Sequence, residues 1–258
     1  MKLSVIPKKS LGQHFLINPR ILDKIVAAAE ISNNDTVLEI GPGTGNLTEK
    51  LSIKAGKVIA IEKDRRLIES LKEKFKNKNV EIVESDVLKL KIETLIENYK
   101  IVANIPYYIT SNLLRIILEK WPKPKLIVLT IQKEVAQRII SKPPRMNLLA
   151  LSVQFFAEPK IVGYISKENF RPRPKVDSAI IKLMPKEKLP SENPEKLFKI
   201  TRAGFSGKRK QLINSLSINL KKEKIEIEKA LKKAEINLKS RPEQLELKAW
   251  ITLEKLLN

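Results

Sequence analysis

The segment Asn104-Ile-Pro-Tyr107 has residue types that could perform chemistry on a flat, weakly nucleophilic amine. The amide oxygen of Asn104 and the backbone carbonyl of Ile105 could accept both hydrogens of an exocyclic amine such as adenine N6. Pro106 stiffens the turn, and Tyr107 could stack on the base. Taken singly, each residue is equally well explained as part of a turn or a core. Together they predict a site that directs the amine lone pair at an electrophile.

A glycine-rich loop lies upstream, in Glu39-Ile-Gly-Pro-Gly-Thr-Gly45. Gly41, Gly43 and Gly45 permit a tight turn from strand to helix and let a ligand approach the backbone closely. A glycine loop alone is a weak signal, and dinucleotide binding is the alternative. The Gly-x-Gly-x-Gly spacing with a preceding acid is typical of S-adenosylmethionine enzymes with a Rossmann-like fold.

Two acidic residues follow the next predicted strands at positions that suit a nucleoside. Glu62 ends the second strand, where an acid can accept hydrogen bonds from ribose hydroxyls. Asp86 follows the third strand, where a carboxylate could accept from an adenine amino group. A carboxylate at a helix N-terminus is the alternative for Glu62, and a turn aspartate is the alternative for Asp86.

No residue need act as a strong general base, because a sulfonium leaving group is already activated. Catalysis would depend on in-line positioning of the reactants and on exclusion of water. Phe170 stands at the start of a proline-rich loop and could cover the second face of the base. Its alternative role is to anchor that loop in the core.

The elements around these motifs predict an α/β fold of the Rossmann-like class I methyltransferase type, with a mostly parallel seven-stranded sheet. The predicted strands are Val37–Ile40, Lys57–Glu62, Val80–Val83, Ile101–Asn104, Leu126–Ile131, Ile161–Ile165 and Ala179–Met184. Helical spacing begins near Thr44, Asp64, Ile109 and Lys133. We expect a methyltransferase domain at 1–185, with a basic segment at 1–20, and a small helical domain at 186–258. In the helical domain the spacing predicts helices at Glu195–Ser217, Ile225–Glu235 and Pro242–Leu257.

The net charge of +21 and pI near 9.9 indicate a polyanionic partner, with nucleic acid the leading class. The residues that we expect to contact RNA are Lys8, Lys9, Arg171, Arg173, Lys208, Arg209 and Lys210. The absence of cysteine and the single histidine argue against redox chemistry and a metal site. No membrane-spanning run or signal peptide is evident, so we expect a cytoplasmic protein, and a monomer by default.

Four motifs in order resemble those of one family: Lys9-Ser-Leu-Gly-Gln-His-Phe-Leu16, Leu38 to Thr48 around the glycine loop, Asn104-Ile-Pro-Tyr107, and Phe170-x-Pro-x-Pro-x-Val-x-Ser178. The chain resembles the ribosomal RNA small-subunit adenine dimethyltransferases along nearly its whole length. The resemblance implies dimethylation of two adjacent adenines in the terminal helix loop of small-subunit rRNA, on an assembly intermediate. It also implies a helical domain that contacts RNA or the ribosome.

The resemblance assigns roles to particular residues. His14 and Leu16 would flank S-adenosylmethionine, Gly41 would lie under its methionine part, and Asn104 would stand at the point of methyl transfer. Glu62 would hold the ribose, and Asp86 would contact the adenine. The residues alone would not identify His14 or Leu16 as site residues.

Three alternatives remain at this stage. The nearest is the large-subunit rRNA adenine methyltransferase of the macrolide-resistance type, which has the same fold and chemistry. The second is an RNA-binding assembly factor with little catalysis, against which the intact Asn104-Ile-Pro-Tyr107 argues. The third is a nicotinamide oxidoreductase, which lacks an evident catalytic constellation here.

Overall fold

The computed structural model describes residues 7–8, 11–90, 98–207 and 210–257. The described residues form two compact units, one from those within 1–136 and 157–185 and one from those within 137–156 and 186–258. In chain order the elements are β1 (Phe15–Leu16), α1 (Pro19–Ala28), β2 (Thr36–Ile40), α2 (Asn46–Lys54), β3 (Lys57–Glu62), α3 (Arg65–Lys74), β4 (Val80–Glu84), β5 (Tyr99–Asn104), α4 (Thr110–Glu119), β6 (Leu126–Gln132), α5 (Lys133–Ile139), α6 (Leu148–Phe156), β7 (Ala157–Ile165), β8 (Phe170–Arg171), β9 (Ser178–Pro185), α7 (Pro194–Phe205), α8 (Leu212–Leu220), α9 (Lys224–Lys233) and α10 (Leu247–Leu256). None of the helices in this described part of the chain is long and apolar enough to cross a bilayer.

The first unit contains a seven-stranded sheet in the order β4-β3-β2-β5-β6-β9-β7. Strands β2 to β6 are mutually parallel, whereas β9 runs antiparallel between β6 and β7. The central strands are mostly apolar and buried, as expected where helices cover both faces of a parallel sheet. The prediction of a mostly parallel, seven-stranded Rossmann-like sheet is confirmed.

The strand order places two of the predicted motifs side by side. β2 pairs with β3 on one side and with β5 on the other, so the direction of strand succession reverses between β2 and β5. In open α/β sheets, ligands bind beyond the carboxyl ends of the strands at this point. The glycine loop follows β2, and Asn104 ends β5. Residues about 60 positions apart in sequence therefore flank one crevice.

A two-stranded antiparallel sheet, β1–β8, was not predicted. It pairs Phe15 with Arg171 and Leu16 with Phe170. Two-residue strands have no detectable alternation, which is why their sequences gave no strand signal. The pairing fixes the N-terminal segment against the start of the proline-rich loop.

Phe170 is predicted to cover a base, but in this structure its side chain is buried, which corresponds to the alternative role of a loop anchor. The Phe170 side chain is fully buried and belongs to a core cluster with Leu16, Leu22 and Ile180. Its partner in β1 is itself buried, so the ring closes the core beneath the two-stranded sheet.

The second unit is helical, and its boundary differs from the predicted one. α6 packs with α7 and α10, and its side chains Leu151 and Phe155 share one core with Trp250 and Leu253. Residues 137–156 therefore belong to this unit rather than to the sheet unit. The helix α6 is so apolar along its length that its sequence alone did not show which core it joins.

The predicted helix at Glu195–Ser217 is wrong, because two helices, α7 and α8, occupy that range. α7 ends at Phe205, and Gln211 adopts an extended conformation with ψ 148° before α8. The backbone N–H of Leu212 donates to the carbonyl of Ser240 at 2.9 Å instead of continuing the helix. Apolar residues recur at helical spacing on both sides of Gly207, so the sequence did not indicate that the helix breaks there.

Replacing Phe170 with Ala should lower the free energy of unfolding by about 3–5 kcal/mol, because it leaves a cavity in the core. Urea denaturation followed by circular dichroism measures this loss. Ile53→Ala is the matched control, since Ile53 is 77% exposed and its truncation should change stability by less than about 0.5 kcal/mol. An unchanged unfolding midpoint for Phe170→Ala would return Phe170 to the list of base-facing residues.

Candidate active site

A cleft opens at the carboxyl end of the sheet, above the switch point between β2 and β5. Its empty space, including the part open to solvent, is about 870 Å³. Of the predicted site residues, those that line it are His14, Gly41, Gly43, Glu62, Asp86, Asn104, Ile105, Pro106 and Tyr107. Leu16 lines a smaller adjacent pocket, which shares Gly41 and Asn104 with the cleft.

The three glycines of the loop have different structural roles. All have positive φ, +70° at Gly41, +60° at Gly43 and +75° at Gly45, which glycine adopts without strain. A Cβ added at Gly41 would meet nothing within 4 Å, whereas one at Gly43 would lie 2.8 Å from the Phe15 ring. Gly41 thus gives the cleft open space at the backbone, as a bound ligand would require.

Gly45 was predicted to bind the cofactor, but it does not line the cleft. It stands at the N-cap position of α2, and a Cβ there would lie 2.8 Å from the ring of Phe75 and 3.1 Å from Leu71. The third glycine is therefore required by packing between α2 and α3. Spacing could not distinguish this role from ligand contact.

Glu62 is buried and holds the glycine loop in place. Its Oε2 accepts from the backbone N–H of Gly43 at 3.1 Å, and its Oε1 accepts from those of Lys63 and Asp64 at 2.9 and 2.8 Å. Burial raises the pKa of the carboxyl above its ordinary value, although these three hydrogen bonds oppose the effect. The side chain presents acceptor oxygens in the cleft at a fixed position.

Asp86 forms an ion pair with Lys63, a residue that the sequence reasoning missed. Lys63 Nζ lies 2.9 Å from Asp86 Oδ2, and the backbone N–H of Leu88 donates to Oδ1 at 3.1 Å. The hydrogen bond from Lys63 lowers the pKa of the Asp86 carboxyl. Asp86 is therefore a charged acceptor at the rim of the cleft.

Asn104 is oriented by the N-terminal segment. Its Nδ2 donates to the backbone carbonyl of His14 at 3.0 Å. With the amide nitrogen engaged in this way, Oδ1 is the atom of the group that is left to accept hydrogen bonds from a bound molecule. The contact joins residues 90 positions apart, and no local pattern could have predicted it.

Both the hydroxyl and the ring of Tyr107 are held by neighbouring side chains. Its hydroxyl lies 2.7 Å from Ser178 Oγ, and its ring stacks on the His14 ring with centroids 5.7 Å apart. His14 Nδ1 in turn lies 2.8 Å from the carbonyl oxygen of Pro172. Burial raises the pKa of the Tyr107 phenol. The Tyr107 side chain is thus held by residues from both the first and the last of the four motifs.

Other cleft residues were not predicted from the sequence. Gln13 Nε2 donates to Asp64 Oδ2 at 2.9 Å, which ties the N-terminal segment to the loop after β3. Tyr108 is 59% exposed and stands beside Gly12, where an added Cβ would lie 3.1 Å from its ring. For Gln13 and Gly12, the only signal in the sequence is the motif of residues 9–16, which the resemblance supplied.

Glu39, the acid before the glycine loop, is buried at the smaller pocket. Its Oε2 and the hydroxyl of Thr48 make no hydrogen bond of ordinary distance and angle among the described residues. Burial raises the pKa of Glu39 to about 8, although the nearby Thr48 hydroxyl opposes the effect, so the carboxyl is largely protonated at neutral pH. A charged form there would need a cation or donor from a bound molecule.

The predicted RNA contacts that are described are exposed. Lys8, Arg171, Arg173 and Lys210 face solvent, and Arg173 pairs with Glu168 at 2.9 Å. Arg171 donates to the carbonyl of Glu168 at 3.2 Å, so its guanidinium is partly engaged. The predictions for Lys9, Lys208 and Arg209 fall outside the described residues.

Comparison with known proteins gives one consistent result. A sequence model of the family described as ribosomal RNA adenine dimethylase matches residues 7–258. Ribosomal RNA small subunit methyltransferase A of Dehalococcoides mccartyi is 45% identical over 94% of this chain and 86% of its own length. The protein of the same name from Bacillus pumilus is 42% identical over 97% and 91%.

Two solved structures are also similar in sequence and fold. A dimethyladenosine transferase from Plasmodium falciparum has a TM-score of 0.79 and 33% identity, covering 93% of this chain and 96% of that one. The 23S rRNA methyltransferase ErmE has a TM-score of 0.77 and 30% identity, covering 94% and 99%.

Replacing Gly41 with Ala should weaken binding of S-adenosylhomocysteine more than it weakens the fold. The added methyl group enters open space that the ligand needs, with a backbone cost of about 1–2 kcal/mol for the left-handed conformation. Gly45→Ala is the matched variant, and it should lose more stability because its methyl group collides with Phe75. Calorimetric Kd values and urea unfolding measure the two effects. The reverse order would contradict these roles.

Proposed function

Because the chain belongs to the ribosomal RNA adenine dimethylase family, we propose that it dimethylates N6 of two adjacent adenines of small-subunit rRNA. The adenines would lie in the loop of the 3′-terminal hairpin, and the methyl donor is S-adenosylmethionine. The observation that carries the proposal is the oriented amide of Asn104, whose Nδ2 is engaged by His14 beside the fixed ring of Tyr107. The curated relatives named as small-subunit methyltransferases support the choice of rRNA.

The residues of the cleft fit S-adenosylmethionine. The open space at Gly41 would accept its methionine part, and Glu62 and Asp86 offer the acceptors that ribose hydroxyls and an adenine amine require. Leu16 and the smaller pocket adjoin the same end of the cleft as Gly41. When bound, S-adenosylmethionine supplies an electrophilic methyl group.

Asn104 and Ile105 would prepare the target amine. Asn104 Oδ1 and the Ile105 carbonyl each accept one N6 hydrogen, which turns the nitrogen lone pair out of the plane of the ring. Tyr107 stacks on the base and holds the ring in position for methyl transfer. Its neutral phenol takes no part in proton transfer. The N6 proton passes to a hydrogen-bonded acceptor or to water after transfer.

The RNA contacts remain part of the proposal. We expect Lys8, Lys9, Arg171 and Arg173 to contact the phosphate backbone around the cleft, with the helical unit contacting RNA or the ribosome through residues 208–210. The substrate would be an assembly intermediate of the small subunit, a pre-30S-type particle. The protein would act as a monomer in the cytoplasm.

The similarity to ErmE favours one second candidate, methylation of large-subunit rRNA. Identity to that protein is 30%, against 45% and 42% for the curated small-subunit relatives over comparable lengths. Incubation with labelled S-adenosylmethionine and unmodified small or large subunits separates the two. We expect dimethyladenosine in the 3′-terminal hairpin of the small subunit, and label in large-subunit rRNA alone would overturn the proposal.

Replacing Asn104 with Ala should lower kcat by about 100-fold or more, because it removes an acceptor that acts in the transition state. RNA affinity should stay nearly unchanged, since no phosphate contact is lost. Asn34→Ala is the control, as Asn34 is an exposed turn residue away from the cleft. Single-turnover kinetics and RNA titration measure the two quantities. Equal losses in both would count against the assigned role.

Replacing Lys208, Arg209 and Lys210 with Ala together should weaken RNA binding and flatten its dependence on salt. Each phosphate contact contributes about 0.9 to the slope of log K against log salt on duplex nucleic acid, and about 0.7 on a single strand. Titration at several salt concentrations measures that slope. If it matches the wild-type slope, the helical unit binds RNA elsewhere or not at all.

A further inference from the structure

Tyr164 is an exposed aromatic residue at the active-site edge of the sheet unit, outside the cleft. Its side chain is 52% exposed, and Lys133 Nζ lies 5.2 Å from the centre of its ring. An ammonium over a ring face is attracted by the negative charge of that face. The pair therefore presents a flat apolar surface and a positive charge together.

The strand register places the backbone of this pair next to that of Ser178 at the carboxyl end of the sheet. In β7, Ile165 pairs with Ser178, the residue whose hydroxyl contacts the phenol of Tyr107. Tyr164 is the preceding residue and pairs with Ala179, so its Cα lies roughly 6 Å from that of Ser178 and its side chain is on the other face of the sheet. In β6, Gln132 also pairs with Ser178, and Lys133 follows it.

The chain segment that follows Tyr164 is basic. From Tyr164 to Asp177 the chain carries four cations and two carboxylates. One carboxylate, Glu168, is paired with Arg173 at 2.9 Å. The other, Asp177, accepts from the backbone N–H of Lys167 at 3.1 Å. The acidic groups are thus engaged within the protein, while Lys175 is exposed.

We propose that Tyr164 and Lys133 form a subsite for a nucleotide that flanks the target adenine, with the base stacked on the Tyr164 ring and a phosphate held by Lys133. Stacking on an aromatic side chain accepts any base, and a nearby cation contacts the backbone. A single-stranded RNA loop has unstacked bases available for this contact. The subsite rests on the proposed function, because it needs an RNA substrate.

The test uses an RNA hairpin with two adjacent adenines in its loop and the fluorescent base 2-aminopurine placed on each flank in turn. With the wild-type protein, stacking on Tyr164 should quench one of the two flank positions. In Tyr164→Ala that quenching should be lost, and the Kd should rise roughly tenfold. Tyr164→Phe keeps a ring and should retain both properties.

Two further readouts separate this role from a structural one. The affinity for S-adenosylhomocysteine should be the same in Tyr164→Ala and wild type, and with small subunits KM should rise while kcat is retained. Ile53→Ala removes another exposed apolar side chain of the sheet unit and should leave quenching and KM unchanged.

The outcomes are distinguishable. Wild-type quenching and Kd in Tyr164→Ala would overturn the subsite, and so would equal losses in Tyr164→Phe and Tyr164→Ala. If one of these two results is found and the wild-type protein still methylates the small subunit, the proposed function stands and only the subsite fails. If the wild-type protein methylates no adenine of the small subunit, the proposed function itself fails.

Discussion

The hydrogen bond from Asn104 Nδ2 to the carbonyl of His14 is the constraint on which the site depends. A side-chain amide has a donor end and an acceptor end, so engaging one of its N–H groups fixes the orientation in which a ligand meets Oδ1. That one contact needs the N-terminal segment to lie against the end of β5. The β1–β8 pairing, the Gln13–Asp64 hydrogen bond and the His14–Tyr107 stack all hold the segment there.

The same segment explains why the motifs of this chain are distributed along its length. His14 contacts the proline loop through Pro172 and contacts Tyr107 through its ring, and Tyr107 contacts Ser178. Three motifs that are far apart in sequence thus form one connected set of contacts. The proline loop, with Phe170 buried in the core beneath it, supports the site, and its residues are not among those that line the cleft.

The site also carries a cost in stability. Glu39 and Glu62 are both buried near the glycine loop, and burial raises the pKa of each. Burying a carboxylate is unfavourable unless donors surround it. Glu62 obtains one backbone donor from Gly43 of the glycine loop and two from the turn after β3, whereas burial raises the pKa of Glu39 to about 8 and leaves its carboxyl largely protonated. Proteins keep such groups where a ligand is to be bound.

The sequence by itself determined the sheet, most of its strands, and the residues at their carboxyl ends, because periodicity and the order of motifs are local properties. It also placed Asn104, Tyr107, Gly41, Glu62 and Asp86 at the site. Only the tertiary structure decided which amide end of Asn104 is free, that Gly45 and Phe170 serve packing, and that residues 137–156 join the helical core. These depend on which distant side chain lies opposite, and no spacing along the chain encodes a partner 90 or 150 residues away.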